Sequence, residues 1–138
     1  MQAALGLAQL EKIEEHIVKK REIGLAYDKG LKGIKGFQLP LPHTSYAQNI
    51  YWVYGLIANS EELALKTVKH LNEKGIGTRP FFWCMHEQPV FLKMNLFSNE
   101  RYPNAERLAH CGFYIPSGLG LDAKEIDIII NELIVCGG

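Results

Sequence analysis

Apolar residues recur at helical spacing through the first thirty positions. Leu7, Leu10, Ile13 and Ile17 follow one another at intervals of three and four, while Glu11, Lys12, Glu15, Lys19 and Lys20 mostly fill the opposite side. Ala, Leu, Glu, Lys and Arg dominate and no proline interrupts, so the pattern predicts one helix over residues 3–31 packed through that stripe. Gly24 weakens it slightly, and Gly30, Gly33 and Gly36 mark its end. A helix this long in a chain this short makes sense as a brace across a boundary with something larger.

Beyond it, Leu39-Pro40-Leu41-Pro42 is held extended, because each proline fixes its own φ and restrains its predecessor. Residues 50–57, aromatic and β-branched with apolar side chains on both faces, predict a covered central strand. Asn59 and Glu62 stand in capping-box positions for a helix to about Lys74, with Ala64, Thr67, Val68 and Leu71 as its inner stripe and Gly75 just past its end. Residues 76–82 predict a second strand that stops near Pro80. Periodicity then fails from Cys84 to Tyr102, apart from a short helical turn near residues 88–92. Pro103 suits the start of a helix through about His110. Gly112 to Ile115 predicts a third strand, and Asp122 with Glu125 caps a last helix that is apolar at Ile126, Ile129, Ile130, Leu133 and Ile134. Helices alternating with short strands predict a two-layer α+β domain, its small sheet antiparallel or mixed, with helices packed on it.

Length and composition narrow the class. A chain of 138 residues with 47% hydrophobic content fits one cored domain over residues 1–138. Lys plus Arg balances Asp plus Glu at 15 each, which argues against a nucleic-acid partner. Cys84, Cys111 and Cys136, few and widely spaced, read as reduced thiols of a cytoplasmic protein. No apolar run approaches a membrane span, and the N-terminal residues lack a signal-peptide pattern. The balanced polar side of the first helix favours a protein partner over an anionic membrane.

The densest chemistry lies in Thr78-Arg79-Pro80-Phe81-Phe82-Trp83-Cys84-Met85-His86-Glu87-Gln88-Pro89. Arg79 at a strand end is a guanidinium suited to bidentate binding of a carboxylate or phosphate. His86 is an imidazole that exchanges protons near neutral pH. The competing reading leaves Arg79 in a surface ion pair and His86 on a nearby carbonyl. A second cluster, Tyr46, Gln48, Asn49, Tyr51 and Trp52, suits either a groove for a sugar or base, or packing under the first helix. Cys84 with His86, and His110 beside Cys111, lack structural-zinc spacing, and no local signature supports cysteine–histidine catalysis. Gly118 and Gly120 complete no phosphate-binding fingerprint and read as turn residues.

Taken together, these blocks resemble a known family. Gln2-Ala3-Ala4-Leu5-Gly6-Leu7-Ala8-Gln9-Leu10-Glu11 is similar to the opening of the long helix that follows the large domain in the DegT/DnrJ/EryC1/StrS aminotransferases. Gly75-Ile76-Gly77-Thr78-Arg79-Pro80-Phe81-Phe82, then His86, Gln88 and Pro89, resembles that family's small-domain signature. Pro103-Asn104-Ala105-Glu106 and Tyr114-Ile115-Pro116-Ser117-Gly118-Leu119 resemble its later blocks. Within the family the chain looks most like perosamine-synthase-type enzymes, which act on a GDP-linked 4-keto-6-deoxy sugar in polysaccharide biosynthesis.

The resemblance implies the C-terminal small domain of a fold-type I aminotransferase dependent on pyridoxal phosphate (PLP), with a large domain expected ahead of Met1. The implied reaction moves an amino group, typically from glutamate, by way of PLP to the keto sugar. None of the eleven lysines lies in a context resembling the Schiff-base motif. The expectation is therefore no catalytic, cofactor-binding or metal residue in this chain and no PLP held by it alone. His86, Arg79 and Tyr46 are the expected contacts of the nucleotide sugar. The expected partners are a large domain or a second copy, as in a dimer. The alternative is a stand-alone or vestigial α+β interaction module without catalysis.

Overall fold

In the computed structural model, which describes residues 1–97 and 99–138, the predicted alternation folds around one antiparallel sheet. Helix α1 (Gln2–Leu10) and α2 (Ile13–Gly30) lead into β1 (Phe37–Gln38) and β2 (Tyr54–Ala58). Then come α3 (Glu61–Glu73), β3 (Arg79–Pro80), a 3-10 turn (Met85–Glu87) and α4 (Pro89–Lys93). Helix α5 (Pro103–Cys111) runs straight into β4 (Gly112–Ile115), and α6 (Ala123–Gly137) closes the chain. The sheet order is β1-β2-β4-β3 with every pairing antiparallel. The two-layer α+β expectation is borne out.

The pleat explains which face is covered. Tyr54, Leu56 and Ala58 alternate along β2 and are buried against α2, α3 and α6, with Phe113 and Ile115 of β4 beside them. Leu71 of α3 and Leu133 of α6 complete that layer. The Asp122–Glu125 capping box forms as predicted, and Ile126, Ile129, Ile130 and Leu133 are buried while Ile134 remains 48% exposed. On the other face the Phe81 ring lies across two glycines. A Cβ at Gly55 or Gly112 would stand 2.8 or 2.5 Å from that ring, which also stacks on Tyr114 at 4.5 Å between centroids.

Several expectations need correction. The first helix is not continuous: it breaks at Glu11 and Lys12, where the Lys12 N–H turns back to the Gln9 carbonyl. Its stripe does not pack within the chain, because Leu7, Leu10 and Ile13 are exposed and α1 buries no residue. Burial begins only at Ile23, Gly24 and Tyr27. Periodicity reports an apolar face, not the body that covers it. The strand predicted over residues 50–57 starts only at Tyr54, since Tyr51 adopts φ 53°, outside strand geometry. The one over residues 76–82 shrinks to Arg79–Pro80, because Pro80 has no N–H for the ladder. Ser60 rather than Asn59 caps α3, its Oγ accepting from the Leu63 N–H at 3.2 Å. The Asn59 N–H is spent on the Gly36 carbonyl. The short β1, paired to β2 through Phe37 and Ala58, had no periodic signal.

What ties α2 to the sheet is polar. Asp28 accepts from the Tyr51 hydroxyl at 2.5 Å and from the Tyr54 hydroxyl at 2.7 Å, one phenol on each carboxylate oxygen. Tyr27 donates to the Pro116 carbonyl at 2.8 Å. Burial first, and then the bonds to Asp28, push the Tyr51 and Tyr54 phenols far above their usual range, so both remain donors. The Tyr51 ring reaches Asp28 by lying directly on the α2 backbone at Gly24, where a Cβ would stand 2.2 Å from its Cγ.

Gly24→Ala inverts the usual helix rule. In an open helix that change stabilises by about 1 kcal/mol. Here the methyl collides with Tyr51, so urea denaturation should show a loss of about 1–3 kcal/mol. An increase in stability would mean that the ring does not rest on the helix.

Candidate functional site

The aromatic segment after β3 folds back along α5 and onto the N-terminal end of α3, and there it gathers the titratable groups. Pro103 opens α5 and puts Glu106 in its first turn, where the carboxylate reaches back to the Tyr102 N–H at 2.9 Å. The same oxygen accepts from Arg101 Nε at 3.1 Å, and Arg101 Nη2 holds the other oxygen at 3.0 Å. The backbone bond to Tyr102, with Arg101 and His86, holds the Glu106 carboxyl below its usual range despite its partial burial. Against this fixed anion lies His86 Nε2, 3.1 Å from Glu106 Oε1. An ionised carboxylate only accepts, so Nε2 carries a proton toward it, and Nδ1 has no hydrogen-bond partner among the described residues. His86 is buried, with the Tyr102 ring edge-on at 5.1 Å.

One helical turn on, His110 Nε2 lies 2.8 Å from Glu87 Oε2 and Nδ1 lies 3.6 Å from Glu61 Oε2. The Trp83 indole stacks on the imidazole at 4.6 Å. A neutral imidazole has one N–H, whereas two carboxylates face this ring, so the imidazolium serves both. The bond to Glu87 is the main cause that raises the His110 pKa, and Glu61 adds to it against the cost of burial. Together these groups line a cleft of about 540 Å³ with Arg107 and Leu92 on its rim.

The three sequence-predicted contacts do not converge. His86 belongs to this cleft. Arg79 is exposed on β3 and lines another, of about 330 Å³, with Val53, Thr78, Tyr114 and Pro116. It makes no ion pair among the described residues. Tyr46, 88% exposed, lines a third, of about 520 Å³, where the hairpin of residues 42–49 meets α2. His86 meets a carboxylate rather than the carbonyl that the competing reading assigned to it. Glu61, Glu87, Glu106 and His110 were missed as partners. The one available signal was an acid in the first turn after Pro103.

Ligand atoms of His86, Glu87 and Glu106 lie within 4.8 Å of one another. A cation there would have to displace the Arg101 guanidinium and the Tyr102 N–H from Glu106, so the cluster is built as an ion-pair network. Burial, with Glu87 and Glu106 nearby, raises the Cys84 thiol, which opposes a thiolate nucleophile beside His86. The residues present also do not fit PLP, which needs a lysine amine inside a cleft with phosphate ligands. Ten of the eleven lysines are exposed. The other, Lys20, donates to the Ser117 carbonyl at 2.5 Å and to its hydroxyl at 3.4 Å. Lys19 does line a shallow groove, but among Glu14, Glu15 and Glu22.

The doubly paired His110 gives a pH signature with a defined sign. A histidine whose pKa is raised by folding contributes stability that is fully present below about 6.5 and lost as pH rises through the folded value. The advantage of the wild type over His110→Gln in urea denaturation should therefore be larger at pH 6 than at pH 9. Equal differences at the two pH values would show that His110 is not held as the imidazolium.

Known proteins share this sequence and fold. The family model of the DegT/DnrJ/EryC1/StrS aminotransferases matches residues 1–134. The GDP-perosamine synthase of Escherichia coli O157:H7 is 28% identical over 131 residues, covering 95% of this chain and 34% of that protein. The lipopolysaccharide biosynthesis protein RfbH of Salmonella typhimurium is 32% identical over 138 residues, covering 96% of this chain and 31% of that one. Among solved structures, PseC of Helicobacter pylori, an aminotransferase involved in the biosynthesis of pseudoaminic acid, aligns with a TM-score of 0.85. That alignment takes in 99% of this chain and 36% of that one at 21% identity. The chain spans about a third of the length of the curated relatives it matches. No helix among the described residues is long and apolar enough to cross a membrane. With its match running from the first residue to within four of the last, the chain belongs to the DegT/DnrJ/EryC1/StrS aminotransferase family.

Proposed function

We propose that this chain is the C-terminal small domain of a PLP-dependent nucleotide-sugar aminotransferase and that it has no transamination activity by itself. The observation that carries the reading is α1. It lies wholly inside the family match, yet it buries no residue and presents Leu5, Leu7 and Leu10 at 59% exposure or more. Covering a leucine contributes about 1.5–3 kcal/mol, so an open helix face of this kind belongs against another body. A large domain supplied by the remaining two-thirds of the relatives' length fits that role, and so does a second copy in a dimer.

The proposed substrate is a GDP-linked 4-keto-6-deoxy sugar, with glutamate as amino donor. The names of the perosamine synthases among the relatives support that choice. PLP, bound by the large domain, would supply the electron sink for the amino transfer. The residues of this chain would act on the substrate side. His86, fixed by Glu106, offers Nδ1 as an oriented partner for a sugar hydroxyl or keto oxygen. Arg79, without an internal counter-ion, supports an anionic group, and Tyr46 offers a ring face. That they line three separate clefts is in keeping with a site completed by other polypeptide.

The test is made in the complete enzyme that carries this domain. His86→Asn should lower kcat for the keto sugar by about ten- to a hundredfold, the scale of a misplaced substrate. The half-reaction that loads PLP from glutamate should keep its wild-type rate. Wild-type sugar kinetics would remove His86 from the site, and loss of both half-reactions would make its role structural.

A further inference from the structure

Arg21 is half-buried on α2 where the helix meets the 42–49 hairpin. Its Nε donates to the Asn49 carbonyl at 3.4 Å, which sets the guanidinium plane against the hairpin. Its two Nη groups have neither a hydrogen bond nor an ion pair among the described residues. The other arginines differ: Arg101 is paired with Glu106, Arg107 donates to Gln38, and Arg79 lies in the open on β3. A guanidinium whose plane is set by one bond while both Nη groups stay open toward a cleft presents a ready fork for an anion from outside.

The walls support this. The cleft of about 520 Å³ includes no Asp or Glu, and around Arg21 it sets His43, Thr44, Tyr46, Gln48 and Asn49. The hairpin is preformed by its own bonds. Thr44 N–H reaches the Ala47 carbonyl at 2.8 Å and Asn49 N–H the Pro42 carbonyl at 2.9 Å. The Asn49 side chain bonds the Leu41 carbonyl at 3.0 Å and accepts from the Tyr51 N–H at 2.7 Å. A preformed cleft spends little binding energy on ordering itself. Its volume lies within the range of about 300–1,000 Å³ typical of small-molecule sites and exceeds what a phosphate alone needs.

We propose that this cleft is a phosphate-ester site. The Arg21 fork takes two oxygens of one phosphoryl group, Thr44 and Gln48 donate to the others, and the Tyr46 ring covers the group that the phosphate carries. A nucleoside diphosphate, PLP and inorganic phosphate share that chemistry. The choice of nucleoside diphosphate rests on the nucleotide-sugar reading; the anion site does not.

The experiment follows backbone and arginine side-chain resonances of the 138-residue chain by NMR, at constant ionic strength, during addition of GDP, guanosine, PLP or inorganic phosphate. GDP is expected to shift residues 43–49 and Arg21 Nε–H, and guanosine to shift them far less. Arg21→Gln should weaken GDP binding about tenfold or more, the scale of one charge-assisted contact. Lys124→Gln, which removes an exposed charge on α6 outside the cleft, should leave it unchanged. If inorganic phosphate or PLP matches GDP, the anion site stands and the nucleotide reading of its occupant fails. If GDP moves only residues around His86, the reading stands and the Arg21 site is overturned. Silence of the hairpin toward every phosphate at millimolar concentration, or equal affinity in Arg21→Gln with unchanged melting, also overturns it.

Discussion

One carboxylate holds the halves of this domain in register. Asp28 takes a phenol on each oxygen, from Tyr51 and from Tyr54, and so joins the middle of the chain to α2. Tyr54 is the first residue of β2, and its fixed position sets the pairing with Ile115 and the whole β2–β4 ladder. Tyr51, three residues earlier, turns through φ 53° so that its ring lies on Gly24 while its backbone N–H binds Asn49. The hairpin that carries Tyr46 is thereby anchored to the same helix. Buried hydrogen bonds to an ionised group count among the stronger ones, and breaking either would leave an underserved charge beside the core.

The same economy recurs around His86. A carboxylate fixed by Arg101 and a backbone N–H determines which nitrogen of the imidazole stays open, and a second histidine between two carboxylates pins the Trp83 segment beside it. These contacts position groups; they do not complete a reaction centre. The lysines are exposed or spent, and the clefts of Tyr46, Arg79 and His86 share no lining residue. Under the proposed function, such a domain would orient substrate-side groups and leave the cofactor chemistry to another body.

Local signals in the sequence were reliable where the partner of a residue lies close in the chain. The Asp122–Glu125 capping box, the glycine after α3 and Pro103 at the start of α5 all depend on neighbours within a few residues. Failures came where a distant partner decides. Tyr51 left the strand because Gly24 and Asp28 capture its ring, and the stripe of α1 looked like core because an apolar face reads the same whether its cover lies inside or outside the chain. His86 was legible as a candidate from its motif. Glu106 and His110 were not, because only the fold brings them to the aromatic segment. Arg21 was hidden among the charges of a long helix, where nothing marks one guanidinium as having open Nη groups.

The central claim is that the open face of α1 is built to be covered. Sedimentation velocity on the purified chain across a wide concentration range tests it most directly, alongside a variant with Leu7 and Leu10 replaced by Asp. The account predicts that the wild type sediments above its 15.6 kDa monomer and that the variant sediments as the monomer with its fold intact. A wild type that remains a monomer at every concentration, with α1 amides as protected from hydrogen exchange as those of α2, would contradict it.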